Sequence, residues 1–117
     1  MRPRALIWLV VAASALLVAR RWLDVVEVRG RSMAPTLLPG DRLLVVRARP
    51  RPGDVVLVPD PRHSTRELVK RVASIGPDCI ALHGDNDAAS TGATVSPAAV
   101  RWRALFRYWP ASRVSVV

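Results

Sequence analysis

Cysteine is almost missing from these 117 residues, and Cys79 stands alone. An intramolecular disulfide and a cysteine-built metal centre are both excluded. Lysine is just as scarce. The chain has 18 basic residues, and every one except Lys70 is arginine. Arginine cannot give up its proton in a protein, so Lys70 is the one amine able to do so along the chain. Acidic residues number 9, half the basic count, which leaves a formal net charge of +9. Aromatic residues make up 5%. Hydrophobic residues reach 50% against 23% charged, a globular balance that excludes general disorder. The length allows one small domain.

A basic excess points to nucleic acid or to an anionic membrane. The distribution favours the membrane. Arg2 and Arg4 stand before an apolar run and Arg20 and Arg21 after it. The remaining basic residues are scattered, with little aromatic interleaving before Trp102. The expected partner is therefore a lipid bilayer, not a nucleic acid.

Ala5 to Ala19 carries no charge. Fifteen helical residues span about 22 Å, short of a hydrocarbon core of about 30 Å. Pro3 suits a helix start, and Trp22 and Leu23 carry the apolar pattern past two arginines that can snorkel to the headgroups. The expectation is one transmembrane helix over residues 3–23, retained as an anchor. The alternative is a cleaved signal peptide with its Ala13-Ser14-Ala15 triplet. That triplet lies inside the apolar run, a poor place for cleavage. The expected division is an anchor over residues 1–23 and a single folded domain over residues 24–117.

The rest of the chain reads as short strands between Gly/Pro turns. Strands are expected at Asp24–Val28, Arg42–Arg47, Asp54–Val58, Glu67–Ile75 and Cys79–Leu82. Pro59 to Thr65 and Asp87 to Thr94 read as polar loops. Ser96 to Arg107 is expected to form a short helix, with Ser96 as cap and Pro97 at its first position. The fold class expected is mainly β, one small domain behind a single N-terminal helix.

Ser32 sits at a loop start, two residues after Gly30 and three before Pro35. Glycine lets a substrate backbone come close, and proline stiffens the turn. A serine nucleophile needs a base. His63, His83 and Lys70 are candidates. His63 lies in a polar stretch, and His83 precedes Gly84-Asp85-Asn86, too close to Asp85 for an ordinary triad order. On strand alternation Lys70 shares a face with Leu68 and Val72. Burial there lowers an amine's pKa and leaves some of it neutral near neutral pH. An ordinary turn serine and a lysine snorkelling from a strand edge are the plainer readings.

In order along the chain stand Ser32-Met33-x-Pro35-Thr36-Leu37, Gly40-Asp41, Pro52-Gly53-Asp54-Val55-Val56, Lys70-Arg71-Val72 and Gly84-Asp85-Asn86. This combination resembles the type I signal peptidase family over about residues 24–113. The closing Arg103-Ala104-Leu105-Phe106-Arg107-Tyr108-Trp109-Pro110 is similar to the end of small family members.

The resemblance implies a Ser–Lys dyad serine endopeptidase on a β fold, with Ser32 as nucleophile and Lys70 as general base. Ser90 matches a serine that orients the lysine. The Ser32 N–H would contribute to the oxyanion hole, and Gly30 takes a position where some members add a hydroxyl. Met33 would pack beneath the site, and Asp85 and Asn86 would hold the adjoining loop. The implied substrate is an exported preprotein with small residues before the cleavage point. The catalytic body would lie on the outer face of the cell membrane, behind a single span. No metal or cofactor is implied. The family usually continues from this serine as S-x-D-S-R, whereas Gly92 and Thr94 occupy the places of the acid and the arginine. Only 13 residues separate Lys70 from Gly84, so no second β domain fits between them. Two other readings share the pattern. One is a maturation protease for a single protein, of the nickel superoxide dismutase type. The other is a non-catalytic homologue that binds signal sequences. Trp102, Leu105, Phe106 and Trp109 are expected either to dip into the membrane interface or to pack a helix on the core.

Overall fold

The computed structural model describes residues 2–60, 63–86, 88 and 92–117, and of residues 63–66 the backbone only. It opens with one helix, α1, Pro3–Trp22. Proline at its start has no amide to leave unpaired, and Arg20 and Arg21 lie in the last turn beside the negative end of the helix dipole. Leu23 closes it through an amide bond to the Ala19 carbonyl and is already the first residue of strand β1. Twenty residues span about 30 Å, the thickness of a hydrocarbon core. The helix is apolar round its circumference, yet none of its residues is buried. In an aqueous protein such a helix would sit inside a core; here no protein covers it.

Among the described residues the body is an antiparallel sheet of eight strands. They are β1 (Leu23–Glu27), β2 (Arg42–Arg47), β3 (Val55–Asp60), β4 (His63–Ile75), β5 (Ile80–His83), β6 (Ala93–Val95), β7 (Trp102–Trp109) and β8 (Ser115–Val116). The order across the sheet is β1-β2-β7-β3-β4-β5-β6, with β8 paired to the end of β7. The chain is mainly β, as its turn spacing indicates. The expected polar loop after Asp87 is shorter than its residues suggest, because Ala93–Val95 joins the edge of β5 as β6.

The expected helix over Ser96–Arg107 does not form. Pro97–Ala99 makes a single 3₁₀ turn, and Ser96 caps nothing with its side chain. Beyond it lies β7, paired along β2 on one side and with Val56 and Leu57 of β3 on the other. Ala, Leu and Arg in this stretch suit a helix, while its aromatics suit a strand, so local preference is divided. The second edges of β2 and β3 decide it: β1 and β4 pair one side of each, and β7 pairs the side left open. The aromatics follow the strand. Trp102 packs on the core beneath the Arg47 guanidinium, and the exposed Trp109 carries Arg42 over its ring.

Two apolar clusters lie on opposite faces. Val28, Met33, Leu37, Leu43, Val45, Val55, Leu57 and Ala104 form the first. Val56, Val58, Val72, Ile80, Leu82 and Val100 form the second. Strand β3 feeds both, since alternate residues point to opposite faces. This explains why Val55-Val56-Leu57-Val58 is an uninterrupted apolar run. Val69 packs against the first cluster and Leu68 against the second.

Candidate active site

The segment between β1 and β2 carries Ser32. Val28 and Asp41 close it, the Val28 amide donating to the Asp41 carbonyl at 2.7 Å and the Gly40 amide to the Val28 carbonyl at 2.9 Å. Gly30 turns the chain with φ of +80°, a conformation that strains any residue with a Cβ. Met33 and Leu37 then plunge into the first cluster, 1% and 0% exposed. Two buried side chains four residues apart hold the loop down and leave Ser32 half-buried between them and Gly30.

Two polar networks grip the loop. At its start, the Asn86 amide donates to the Ser32 carbonyl at 2.9 Å, and Asn86 Nδ2 donates to the Arg31 carbonyl at 3.0 Å. The neighbouring Asp85 takes a two-pronged bond from Arg71, Nε to Oδ1 and Nη2 to Oδ2, both 2.8 Å. Arg71 Nη1 reaches the Gly53 carbonyl at 2.7 Å. Gly53 makes the turn between β2 and β3 with φ of +89°. The Arg71 bond, helped by a side-chain hydrogen bond with Thr36 and opposed by burial, holds the Asp85 carboxyl below the usual aspartate range. At the loop's far end, Asp41 is 2% exposed. It accepts from Arg107 at 3.2 Å, from Arg113 at 2.9 and 3.1 Å, and from the Leu38 amide at 2.9 Å. Arg107 also donates to the Thr36 carbonyl at 2.7 Å.

Lys70 precedes Arg71 in β4 and pairs with Val56 of β3. Val56 and Val72 belong to the second cluster and Leu68 packs against it, so Lys70 stands on the apolar side that alternation indicates. Burial lowers its pKa below that of an ordinary lysine. The links among predicted site residues therefore run from Ser32 to Asn86, from Asp85 to Arg71, and along the backbone to Lys70. His83 is the cross-strand partner of Arg71, and its Nδ1 lies 3.2 Å from the Gly84 carbonyl. Ser90 and the side chain of His63 lie outside the described residues.

A family model described as signal peptidase, peptidase S26, matches residues 2–93. The chain belongs to that family. It is thereby a member of a serine peptidase family whose substrates are peptide chains. No curated protein and no solved structure matches it. The match spans α1, the Ser32 loop, Lys70 and Asp85-Asn86, and it stops before β7. Gly92 and Thr94, which depart from the S-x-D-S-R pattern, flank the start of β6, and β6 still pairs with β5 through Ala93 and Leu82, Thr94 and Ala81, and Val95 and Ile80.

Sequence reasoning missed four side chains of the loop's framework. Arg71, Asp41 and Arg107 lay inside quoted motifs without a role, and Arg113 carried no signal of its own. Their contacts with Asp41 cross 66 and 72 residues of chain. Local spacing holds no record of a pair so far apart. Among the described residues, no cluster of His, Cys, Asp and Glu could hold a metal ion.

Proposed function

We propose that this chain is a membrane-anchored serine endopeptidase that removes signal peptides from exported proteins, with Ser32 as nucleophile and Lys70 as general base. The observation that supports this reading is the bonding of the Ser32 loop to Asn86, beside an Asp85 that grips the arginine next to Lys70. The serine lies in a recognised motif, and the one lysine of the chain is the neighbour of Arg71 in that network.

Neutral Lys70 Nζ takes the Ser32 Oγ proton as Oγ attacks the scissile carbonyl. The oxyanion is stabilised by backbone N–H groups, that of Ser32 among them. Protonated Lys70 returns its proton to the leaving amine as the C–N bond breaks, leaving an acyl-serine. Lys70 then draws a proton from water, whose oxygen attacks the ester, and returns it to Ser32 Oγ as the acyl–oxygen bond breaks. Gly30 offers no hydroxyl to the oxyanion, so the backbone carries that task. Ser90 orients Lys70, as the family pattern suggests. Residues 1–23 anchor the chain by a single span, and residues 24–117 work on the outer face of the cell membrane. The substrate presents small residues before the cleavage point.

The test uses the full chain in detergent with a preprotein bearing an A-x-A site. Wild type should cleave it, while Ser32→Ala and Lys70→Arg should fall by about 10⁴-fold or more, to background. Lys70→Arg keeps the charge and removes the base. kcat/KM should rise with pH as Lys70 loses its proton, with a midpoint below that of an ordinary lysine because burial disfavours the charged form. A folded wild type that binds the preprotein and leaves it intact would replace catalysis with signal-sequence binding. Cleavage of a single protein from a broad panel would favour the maturation protease.

A further inference from the structure

A cavity of about 650 Å³ opens where α1 meets the sheet. Trp22, the last residue of the helix, forms one wall. Arg47 and Arg49 line it from the end of β2, and Arg101 lines it from the start of β7. Ile75 and Ile80 contribute apolar surface. No aspartate or glutamate is among its lining residues.

These arginines differ from four others of the body. Arg71, Arg103, Arg107 and Arg113 each face a carboxylate. Among the described residues, none of Arg47, Arg49 and Arg101 has one. All three are exposed. Three guanidinium groups round a partly apolar hollow repel one another unless an anion joins them. Guanidinium groups suit phosphate oxygens, which they can bond in pairs.

The depth of the cavity selects the source of that phosphate. If α1 spans the bilayer, its last residue lies at the headgroup level, where tryptophan is favoured. A cavity walled by Trp22 then lies at the same level. We propose that it holds the phosphodiester headgroup of an acidic phospholipid on Arg47, Arg49 and Arg101, with the upper acyl chain against Ile75 and Ile80. This rests on reading α1 as a membrane span. The site is separate from the proposed dyad. Ile75 lies five residues beyond Lys70, roughly 16 Å along β4. Along the β1–β2 pair, the helix end is beside Leu23 and Val46, whereas the Ser32 loop leaves from Glu27 and Arg42.

The test is native mass spectrometry of the full chain in mild detergent, titrated with phosphatidylglycerol. Wild type should retain one lipid, and Arg49→Gln/Arg101→Gln should bind it on the order of tenfold more weakly. Arg29→Gln/Arg42→Gln removes as much charge at the other end of β1 and β2 and should bind as wild type does. Phosphatidylcholine should be held less well than phosphatidylglycerol by wild type. Equal retention by the Arg49/Arg101 variant, equal loss in the control, or equal retention of phosphatidylcholine would each overturn the proposal. So would displacement of the lipid by millimolar inorganic phosphate, which would mark a site for a free anion. A dimer that disappears in the Arg49/Arg101 variant would assign the cavity to a second copy instead. Carbonate extraction of membranes reads the anchor separately. A chain that washes off would end the transmembrane reading, while the detergent titration still decides whether the cavity holds acidic lipid.

Discussion

The two ends of the Ser32 loop are held by ion pairs of different construction. At the Asp41 end, a carboxylate removed from water is met by Arg107 and Arg113, whose side chains are 10% and 30% exposed. At the Asp85 end, Arg71 and Asp85 are 25% and 16% exposed and sit beside Lys70. A buried carboxylate with two guanidiniums is costly to break, because removing one partner leaves charge stranded without water. A pair nearer water can lose a partner more cheaply. The Asp41 end is a clasp that ties the loop to β7 and the C-terminal segment. The Asp85 end is the adjustable side, next to the proposed chemistry.

The largest effect should come from Asp41→Ala. It leaves the buried Arg107 charge with the Thr36 and Arg113 carbonyls but no carboxylate, and frees the Leu38 amide, and the loss should be about 3 kcal/mol of stability in urea denaturation. A loss under about 1 kcal/mol would mean that Arg107 and Arg113 find water or other partners, and the contrast between the two ends would fail.

Asp85→Asn should remove about 1 kcal/mol, since Arg71 keeps its bond to the Gly53 carbonyl. Its effect on cleavage should exceed that share, through Asn86 and the Ser32 loop. The Asp85 carboxyl titrates below the usual aspartate range in the folded chain. Its contribution is therefore complete above the unfolded pKa and is lost as pH falls through the lower folded value. Wild type and Asp85→Asn should differ in melting temperature near neutral pH and converge in that acid window. A difference that persists at the lowest pH would assign the effect to shape instead of charge.

Gly30→Ala should cost no more than Asp85→Asn, about 1 kcal/mol. A Cβ at Gly30 meets nothing within 4 Å, so only the positive φ is strained. A substantially larger loss would show that the loop tolerates no backbone adjustment at all.

Legibility followed distance along the chain. Strand β2 is observed over the residues expected, Arg42–Arg47, because its alternation is local. Helix α1 ends at Trp22 in place of Leu23, a one-residue difference, because Leu23 is extended and already pairs with Val46 in β1. The apolar side of Lys70 was readable from its neighbours Leu68 and Val72. The strand character of β7 was not, since its local preferences conflict and its partners lie in β2 and β3.

The sequence by itself determined the apolar helix, the mainly β body, the buried run of β3 and the motif residues that mark the family, because each depends on near neighbours or on fixed spacing. Tertiary structure alone decided that β7 fills the gap between β2 and β3, that Arg107 and Arg113 close on Asp41, and that three arginines without a carboxylate among the described residues gather round the end of α1. Those outcomes depend on which backbone is left without a ladder and which charges are left without water, and both are set only when distant segments meet.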